Sequence, residues 1–308
     1  MDKTILIATE KPFSAETINI IRQKIDKTIG FNLNLLEKYS TKYELLEALN
    51  NVDGLVVRSD KINAEIINSS ENLKIIIRAG SGYDNIDLDA AIEKDIVVMN
   101  TPGQNANAVA ELAFALMLVL IRKNFQGNIG TELKGKKIGM LGYGNIGKCM
   151  GLIAKGFGMR ICAYDPYISP IIMENDGVEC FESLPNLFSD CDFISVNIPI
   201  NEETNKSIDY NLLSKTKKNA VLVNTARKEV INEADLIKWM QENDGFKYTS
   251  DIAPDCREEM VKKYPDKILF TARKMGAQTN EANIHGATAA VQQIIDFFEK
   301  GDRTYQVN

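Results

Sequence analysis

Apolar positions along this chain follow two alternating rhythms. Short continuous runs of branched residues, Thr4–Ala8, Gly54–Val57, Lys74–Ile77 and Ile96–Met99, predict strands buried on both faces of a parallel sheet. Between them, helical spacing marks Ser14–Lys27, Lys42–Leu49, Asn63–Ser69 and Leu88–Lys94. A second series of strand-like runs follows: Lys137–Leu141, Arg160–Tyr164, Phe193–Val196, Val221–Asn224, Tyr248–Ile252 and Lys267–Phe270. Its clearest helices are Asn145–Phe157 and Glu233–Gln241. Strand–helix alternation of this kind predicts an α/β chain with two doubly wound parallel sheets.

The segment Asn107–Arg122 joins the two series and is apolar nearly all the way round. A helix without a polar face must be covered on every side, so it is expected at a domain junction and at a subunit interface. The last long helix, Glu281–Lys300, is expected to return to the first series. This gives a discontinuous first domain, 1–100 plus 279–308, and a second domain, 101–278.

The 308 residues suit two domains, and 44% hydrophobic with 25% charged residues is an ordinary globular mix. A net charge of −6 disfavours nucleic acid and anionic membrane as partners. Five cysteines without CxxC spacing argue against a disulfide framework or a zinc site, and no signal-peptide pattern opens the chain. A cytoplasmic location with reduced thiols follows. Val109–Ile121 contains Glu111 and is too short to span a bilayer. With a single histidine, His285, a His-clustered metal site and a Ser-His-Asp triad are poorly supplied, so no metal is expected. Acid–base chemistry falls to Lys, Asp, Glu, Tyr or Cys.

Gly142-Tyr143-Gly144-Asn145-Ile146-Gly147 follows a predicted strand and opens a predicted helix. Gly142 permits a tight turn, Gly144 lets a pyrophosphate approach the backbone, and Gly147 allows close helix–strand packing. Free N–H groups at the helix start then hold the phosphates. The next strand ends in Asp165, eighteen positions after Gly147, where an acid accepts from the ribose hydroxyls and repels a 2′-phosphate. Pro166 and Tyr167 follow rather than an arginine, so NAD is expected over NADP.

Several stretches together resemble the D-2-hydroxyacid dehydrogenase family over nearly the whole chain: Leu73–Asp87 (LKIIIRAGSGYDNID), Asn100–Glu111 (NTPGQNANAVAE), Leu133–Gly147, Asp192–Thr204, Val221–Arg227 (VLVNTAR) and Met275–Ala282 (MGAQTNEA). RAGSGYDNID and NTPG most resemble its phosphoglycerate dehydrogenase branch, which implies NAD-dependent oxidation of 3-phosphoglycerate to 3-phosphohydroxypyruvate, the first step of serine biosynthesis. The resemblance also implies a flavodoxin-like substrate domain, a Rossmann NAD domain, a cleft between them, and a homodimer through the Asn107–Arg122 helix. By motif, Arg227 is the substrate-clamping arginine, and a planar guanidinium can hold a carboxylate and the C2 oxygen bidentately. Gly80, Ser81 and Gly82 resemble the loop whose N–H groups receive the substrate carboxylate, with Asn100 beside it. Arg58 and Arg78 are candidates for the distal phosphate. Asp251 matches the acid that contacts the nicotinamide carboxamide, and Pro199, Thr204, Thr225, Ala226 and Gly276 match further cofactor contacts.

The family's catalytic histidine is replaced by Lys274, and its usual glutamate falls on Cys256. Asp255 is expected as the carboxylate paired with Lys274, with Glu258 as second choice, and His285 is read as structural. Lys274 can donate a proton in reduction, but it must be neutral to accept one in oxidation, and an ordinary lysine near 10.4 is charged at pH 7. Burial and the charges of Arg227 and Arg273 lower such a value; Asp255 raises it. The oxidative rate is therefore expected to rise into the alkaline range. The alternatives are a glyoxylate/hydroxypyruvate or D-lactate type enzyme on the same scaffold, and a non-catalytic NAD-sensing scaffold. Because the sequence stops just after the returning helix, a C-terminal regulatory domain, and feedback inhibition by serine through one, are not expected.

Overall fold

The computed structural model describes residues 2–308. In the first series, Lys3–Thr9 (β1), Ala15–Ile25 (α1), Phe31–Glu37 (β2), Lys42–Ala48 (α2), Gly54–Val57 (β3), Ala64–Ser69 (α3), Ile75–Arg78 (β4), Leu88–Glu93 (α4) and Val97–Asn100 (β5) alternate. The second series opens with Ala106–Ile121 (α5), then Lys137–Leu141 (β6), Asn145–Gly156 (α6), Arg160–Tyr164 (β7), Pro170–Asn175 (α7), Glu179–Cys180 (β8) and Leu184–Asp190 (α8). It continues through Phe193–Val196 (β9), Tyr210–Leu213 (α9), Val221–Asn224 (β10), Glu233–Glu242 (α10), Lys247–Ser250 (β11), Arg257–Lys263 (α11) and Ile268–Phe270 (β12), and Asn280–Lys300 (α12) ends the series.

These elements form two compact units, Met1–Asn105 with Ala277–Asn308, and Ala106–Gly276. The second unit begins five residues later and ends two residues earlier than the boundaries read from sequence.

The sheet of the first unit has the order β2-β1-β3-β4-β5, and every strand pair is parallel. Strand β2 was not expected from the sequence. Its residues FNLNLLE alternate between half-buried and exposed for most of their length, the signature of an edge strand rather than of the continuous apolar runs. Helix α12 buries Ala287, Ala290, Val291, Ile294 and Ile295 with Ile18, Ile21 and Ile25 of α1 on one face of the sheet. A Cβ at Gly54 would lie 2.9 Å from Ile294, so the helix packs on β3 at a distance only glycine allows. Truncating Ile294 to alanine would cost roughly 2–5 kcal/mol. Past β5 the last residues pair with its free edge, Val307 N–H donating to the Val98 carbonyl at 2.9 Å.

The sheet of the second unit has the order β12-β11-β10-β9-β6-β7-β8, again parallel throughout. Helix α5 packs on α6, β10 and β11. Ten of its sixteen residues are buried, six of them in a core cluster of the second unit, and Phe114 stacks on Phe157 with centroids 5.3 Å apart. Asn107, Glu111 and Ala115 form its exposed stripe. Among the described residues, no helix is long and apolar enough to cross a membrane.

In each sheet the order of strands reverses once, between β1 and β3 and between β6 and β9. Loops leaving the carboxyl ends of such strands diverge there and open a crevice, the usual ligand position in a doubly wound sheet. Both switch points carry the residues that matter below.

Candidate active site

At the β6/β9 switch point of the second unit, Gly142 has φ +92° and its missing Cβ would sit 2.9 Å from the Asn197 carbonyl oxygen. At Gly147 a Cβ would meet the Gly142 carbonyl at 2.6 Å. These two glycines are required by the backbone. Gly144 is different: it has ordinary extended dihedrals and nothing lies within 4 Å of where its Cβ would be. The protein does not need glycine there, but a ligand pressed against the backbone does. Helix α6 begins immediately after Gly144 with no side chain capping it, which leaves N–H groups of the Asn145, Ile146 and Gly147 turn for an anion.

Asp165 stands at the end of β7. One carboxylate oxygen accepts from Tyr143 N–H at 2.8 Å, the other from Tyr167 at 2.9 Å and Ile168 at 3.2 Å. A carboxylate has about four acceptor sites, so about one is left for a ribose hydroxyl rather than the two expected. Asp165 thus also ties the glycine loop to the turn after β7. Tyr143 anchors that loop from beneath, its hydroxyl donating to Asp176 at 3.0 Å. In the loop after β9, the Thr204 hydroxyl donates to the Pro199 carbonyl at 2.7 Å, and both residues serve first to close their own turn.

Thr225 and Asp251 follow the paired ends of β10 and β11. The Thr225 hydroxyl and Asp251 Oδ1 are buried without a hydrogen-bond partner. Buried polar atoms are seldom left so, and this adjacent donor and acceptor suit a carboxamide. The other oxygen of Asp251 accepts from Gly276 N–H at 2.8 Å and Met275 N–H at 3.3 Å, which holds the chain just past Lys274. A Cβ at Gly276 would lie 3.0 Å from that oxygen. Burial raises the Asp251 carboxyl above the ordinary range, opposed by those N–H groups and by the charges of Lys274 and Arg227.

Asn224 shapes the turn that presents Arg227: its Oδ1 accepts from Ala226 N–H at 3.0 Å and its Nδ2 donates to the Arg227 carbonyl at 2.8 Å. The Ala226 carbonyl then receives Arg227 Nη1 at 3.0 Å and Lys274 Nζ at 3.5 Å. One backbone oxygen thereby gathers the guanidinium and the amine.

The expected pairing of Asp255 with Lys274 is corrected. Asp255 bonds to Lys228 at 2.5 Å with 80% of its side chain exposed, because the turn after β11 is held by Glu233, which accepts from the N–H groups of Asp255 and Cys256. A carboxylate that does feel the Lys274 charge is Asp251. Glu258 lies on α11 beside Asp255, along an exposed surface hollow. The Cys256 thiol is pushed up to about 12 by burial and by Glu233, which removes it as a nucleophile at neutral pH. His285 is exposed on α12.

The first unit holds a cavity of about 90 Å³ at its own switch point, lined by Phe13, Arg58, Arg78, Gly80, Asn105 and Asn283 among others. It admits one small polar group, far below the roughly 300–1,000 Å³ of a drug-sized pocket. Gly80 has φ +149°, and the Arg78 guanidinium lies where its Cβ would be, 1.5 Å from that point. Arg78 Nε donates to the Arg58 carbonyl at 3.1 Å. The loop that follows is braced by Asn100, which donates to the Ser81 carbonyl at 2.6 Å, and by Ser81, which donates to Asn105 at 3.1 Å. Gly82 is half-buried in the same loop. Asn224, Asn283 and Phe13 were not singled out from sequence. An asparagine closing a strand is a turn signal that marks Asn224, but no local pattern marks the other two.

The second unit thus carries a dinucleotide cradle and a gathered guanidinium and amine, and the first unit carries an anion-sized cavity. Residues 119–264 match the family described as D-isomer specific 2-hydroxyacid dehydrogenase, NAD binding domain. The chain is 42% identical to the hydroxypyruvate reductase of Thermotoga maritima, covering 85% of this chain and 90% of that protein. It is 35% identical to the D-3-phosphoglycerate dehydrogenase of Methanocaldococcus jannaschii over 94% of this chain and 57% of that one, so it spans about half the length of this and other such relatives. The structure of NAD+-bound 3-phosphoglycerate dehydrogenase from Entamoeba histolytica superposes with a TM-score of 0.91 at 42% identity, over 100% of this chain and 99% of that one. The chain belongs to the D-2-hydroxyacid dehydrogenase family, and its second unit is that family's NAD-binding domain.

Proposed function

We propose that this chain is an NAD-dependent D-3-phosphoglycerate dehydrogenase, which would place it at the entry to serine biosynthesis. The observation that carries the substrate is the cavity of the first unit, where two guanidiniums converge on a space fit for one anionic group. Guanidiniums favour phosphate through paired N–H donors.

Gly144 and the first turn of α6 hold the cofactor pyrophosphate, Asp165 its ribose, and Thr225 with Asp251 its carboxamide. NAD, when bound, supplies the hydride acceptor. Arg227 orients the substrate carboxylate and C2 oxygen and stabilises the charge that builds on that oxygen. Lys274, gathered on the same carbonyl as Arg227, takes the hydroxyl proton in oxidation and returns it in reduction. Asp251 holds the turn past Lys274 in place.

A second reading, an unphosphorylated glyoxylate or hydroxypyruvate reductase, is favoured by the 42% identity to a hydroxypyruvate reductase over most of both chains. Initial rates with 3-phosphoglycerate, D-glycerate, hydroxypyruvate and glyoxylate decide between them. The first reading expects kcat/KM for 3-phosphoglycerate to exceed that for D-glycerate by about 100-fold, as charge-assisted phosphate contacts imply; equal values would remove it. We further propose a homodimer through α5 and the segment after it, supported by Phe125 and Ile129, which are 65% and 91% exposed. Light scattering of Ile129→Asp against the parent chain tests this. Five free cysteines suit a reducing compartment, hence the cytoplasm.

A further inference from the structure

We propose that Asn283, in the first turn of α12, is a positioning residue that aims Arg58 into the anion cavity and so sets the preference for phosphorylated over unphosphorylated substrates. The inference rests on the phosphorylated-substrate reading given above and adds to it the residue that enforces it.

Arg58 leaves the end of β3 on a long side chain that would otherwise sample many rotamers. Three contacts fix it: Nη2 donates to Asn283 Oδ1 at 2.7 Å, Nη1 to the Lys11 carbonyl at 3.2 Å, and the guanidinium lies over the Phe13 ring at 5.0 Å. Two of five donors are thereby used, and the rest remain for a ligand in the cavity that Arg58, Phe13 and Asn283 all line. An arginine ordered before the ligand arrives loses no further freedom on binding, which strengthens affinity without any added contact.

The identity of the partner matters as much as its position. Burial lowers the Arg58 guanidinium's pKa by penalising its charge, and an arriving dianion relieves that penalty. An aspartate or glutamate at 283 would hold Arg58 equally well but would neutralise the cavity and repel phosphate. Asparagine supplies an acceptor oxygen without charge. It reaches Arg58 because α12 approaches the loop after β4 closely, at Gly286, whose Cβ would stand 3.8 Å from Ala79.

Asn283→Asp separates this role from a merely structural one, since it keeps or strengthens the bond to Arg58. The measurements are kcat/KM with 3-phosphoglycerate and with D-glycerate, and the rise in melting temperature caused by inorganic phosphate. We expect Asn283→Asp to melt no lower than the parent chain, to lose about 30-fold or more of its preference for the phosphorylated acid through KM, and to lose stabilisation by phosphate. Asn283→Ala should lose about tenfold and Asn283→Gln less. An Asn283→Asp or Asn283→Ala protein that keeps both the preference and the phosphate effect within about twofold overturns the inference, twofold being well under the worth of one such bond. If the parent chain does not oxidise 3-phosphoglycerate, the functional reading fails alone. Phosphate then still decides for Asn283: stabilisation present in the parent and lost in Asn283→Asp supports the role, and stabilisation equal in both, or absent in both, overturns it.

Discussion

The two sheets solve one problem in opposite ways. Each opens a crevice where its strand order reverses, and each crevice carries groups suited to an anion. In the second unit those groups are backbone: an uncapped helix start and a glycine with empty space above it. In the first unit they are side chains, two guanidiniums drawn together over a small cavity. A backbone site requires specific dihedrals and small residues at fixed offsets, so it leaves a motif. A side-chain site can be assembled from any positions whose atoms reach, so it leaves almost none.

The largest effect expected separates binding from chemistry in the second unit. Lys274→Ala should lower kcat by about 10²–10⁴ with little change in KM for either substrate, the usual worth of a positioned acid–base group. Because the amine must be neutral to accept a proton and an ordinary lysine titrates near 10.4, oxidation by the parent enzyme should accelerate with pH through the alkaline range. Lys274→His should flatten that rise above about pH 7.5, imidazole titrating near 6.5. Pre-steady-state rates from pH 7 to 10 check both, and a profile unchanged by either substitution removes Lys274 as the base.

Next in size is the side-chain site itself. Arg58→Ala should cost roughly 100-fold in kcat/KM for 3-phosphoglycerate, and far less for D-glycerate, because a charge-assisted contact is lost only where phosphate is present. The backbone site should respond less and differently. Gly144→Ala is expected to weaken NAD binding about tenfold at unchanged melting temperature, since the methyl meets ligand and not protein. Gly142→Ala, at φ +92° and 2.9 Å from Asn197, should instead destabilise the fold, by more than the roughly 1 kcal/mol of left-handed strain alone. Calorimetry and NAD titration of the pair distinguish the two kinds of glycine, and equal melting losses would erase the distinction.

What could be read in advance follows the same division. All ten strands placed from sequence fall within a residue or two of their observed limits, most of them as apolar runs buried on both faces. The edge strands β2 and β8 lack that signal, one because it alternates and the other because it has only two residues. The positions of the glycine loop, Asp165 and Arg227 in the fold were legible because each follows a strand end. Asn283 acts on a residue 225 positions away, and such a distance leaves no periodicity to detect. Asp255 was placed by counting along a loop, where linear offset says little about direction; Glu233 turns that loop outward. Asp251, directly after β11, was singled out for the cofactor but not for Lys274, whose charge acts on it.

Asp251 gives a smaller but signed effect on stability. Its carboxyl is fully buried and raised by burial, so the native state binds this proton more tightly than the unfolded chain. The resulting stability is fully present below the ordinary carboxylate value near 3.9 and is lost as pH rises through the raised native value. Asp251→Asn cannot titrate. Its melting temperature relative to the parent should therefore climb as pH rises from about 4 toward neutrality and level off above the native value. A constant offset across that window would mean that burial is fully offset by the neighbouring N–H groups and cations.

The smallest expected effect is the one that sharpens the comparison most. Asp255 and Asp251 are four residues apart, yet one is 80% exposed and the other fully buried. Asp255 pairs with Lys228 across solvent, where such bridges contribute about 0–1 kcal/mol. Removing it should change kcat/KM by less than about twofold and stability by well under 1 kcal/mol. Its rate should follow the parent's pH dependence, because no charge facing Lys274 has been altered. Asp255→Ala assayed beside Asp251→Asn makes the test direct: an alkaline profile displaced by the exposed substitution and untouched by the buried one would return the pairing to Asp255. The reverse pattern would tie proton transfer to the buried carboxylate that follows β11.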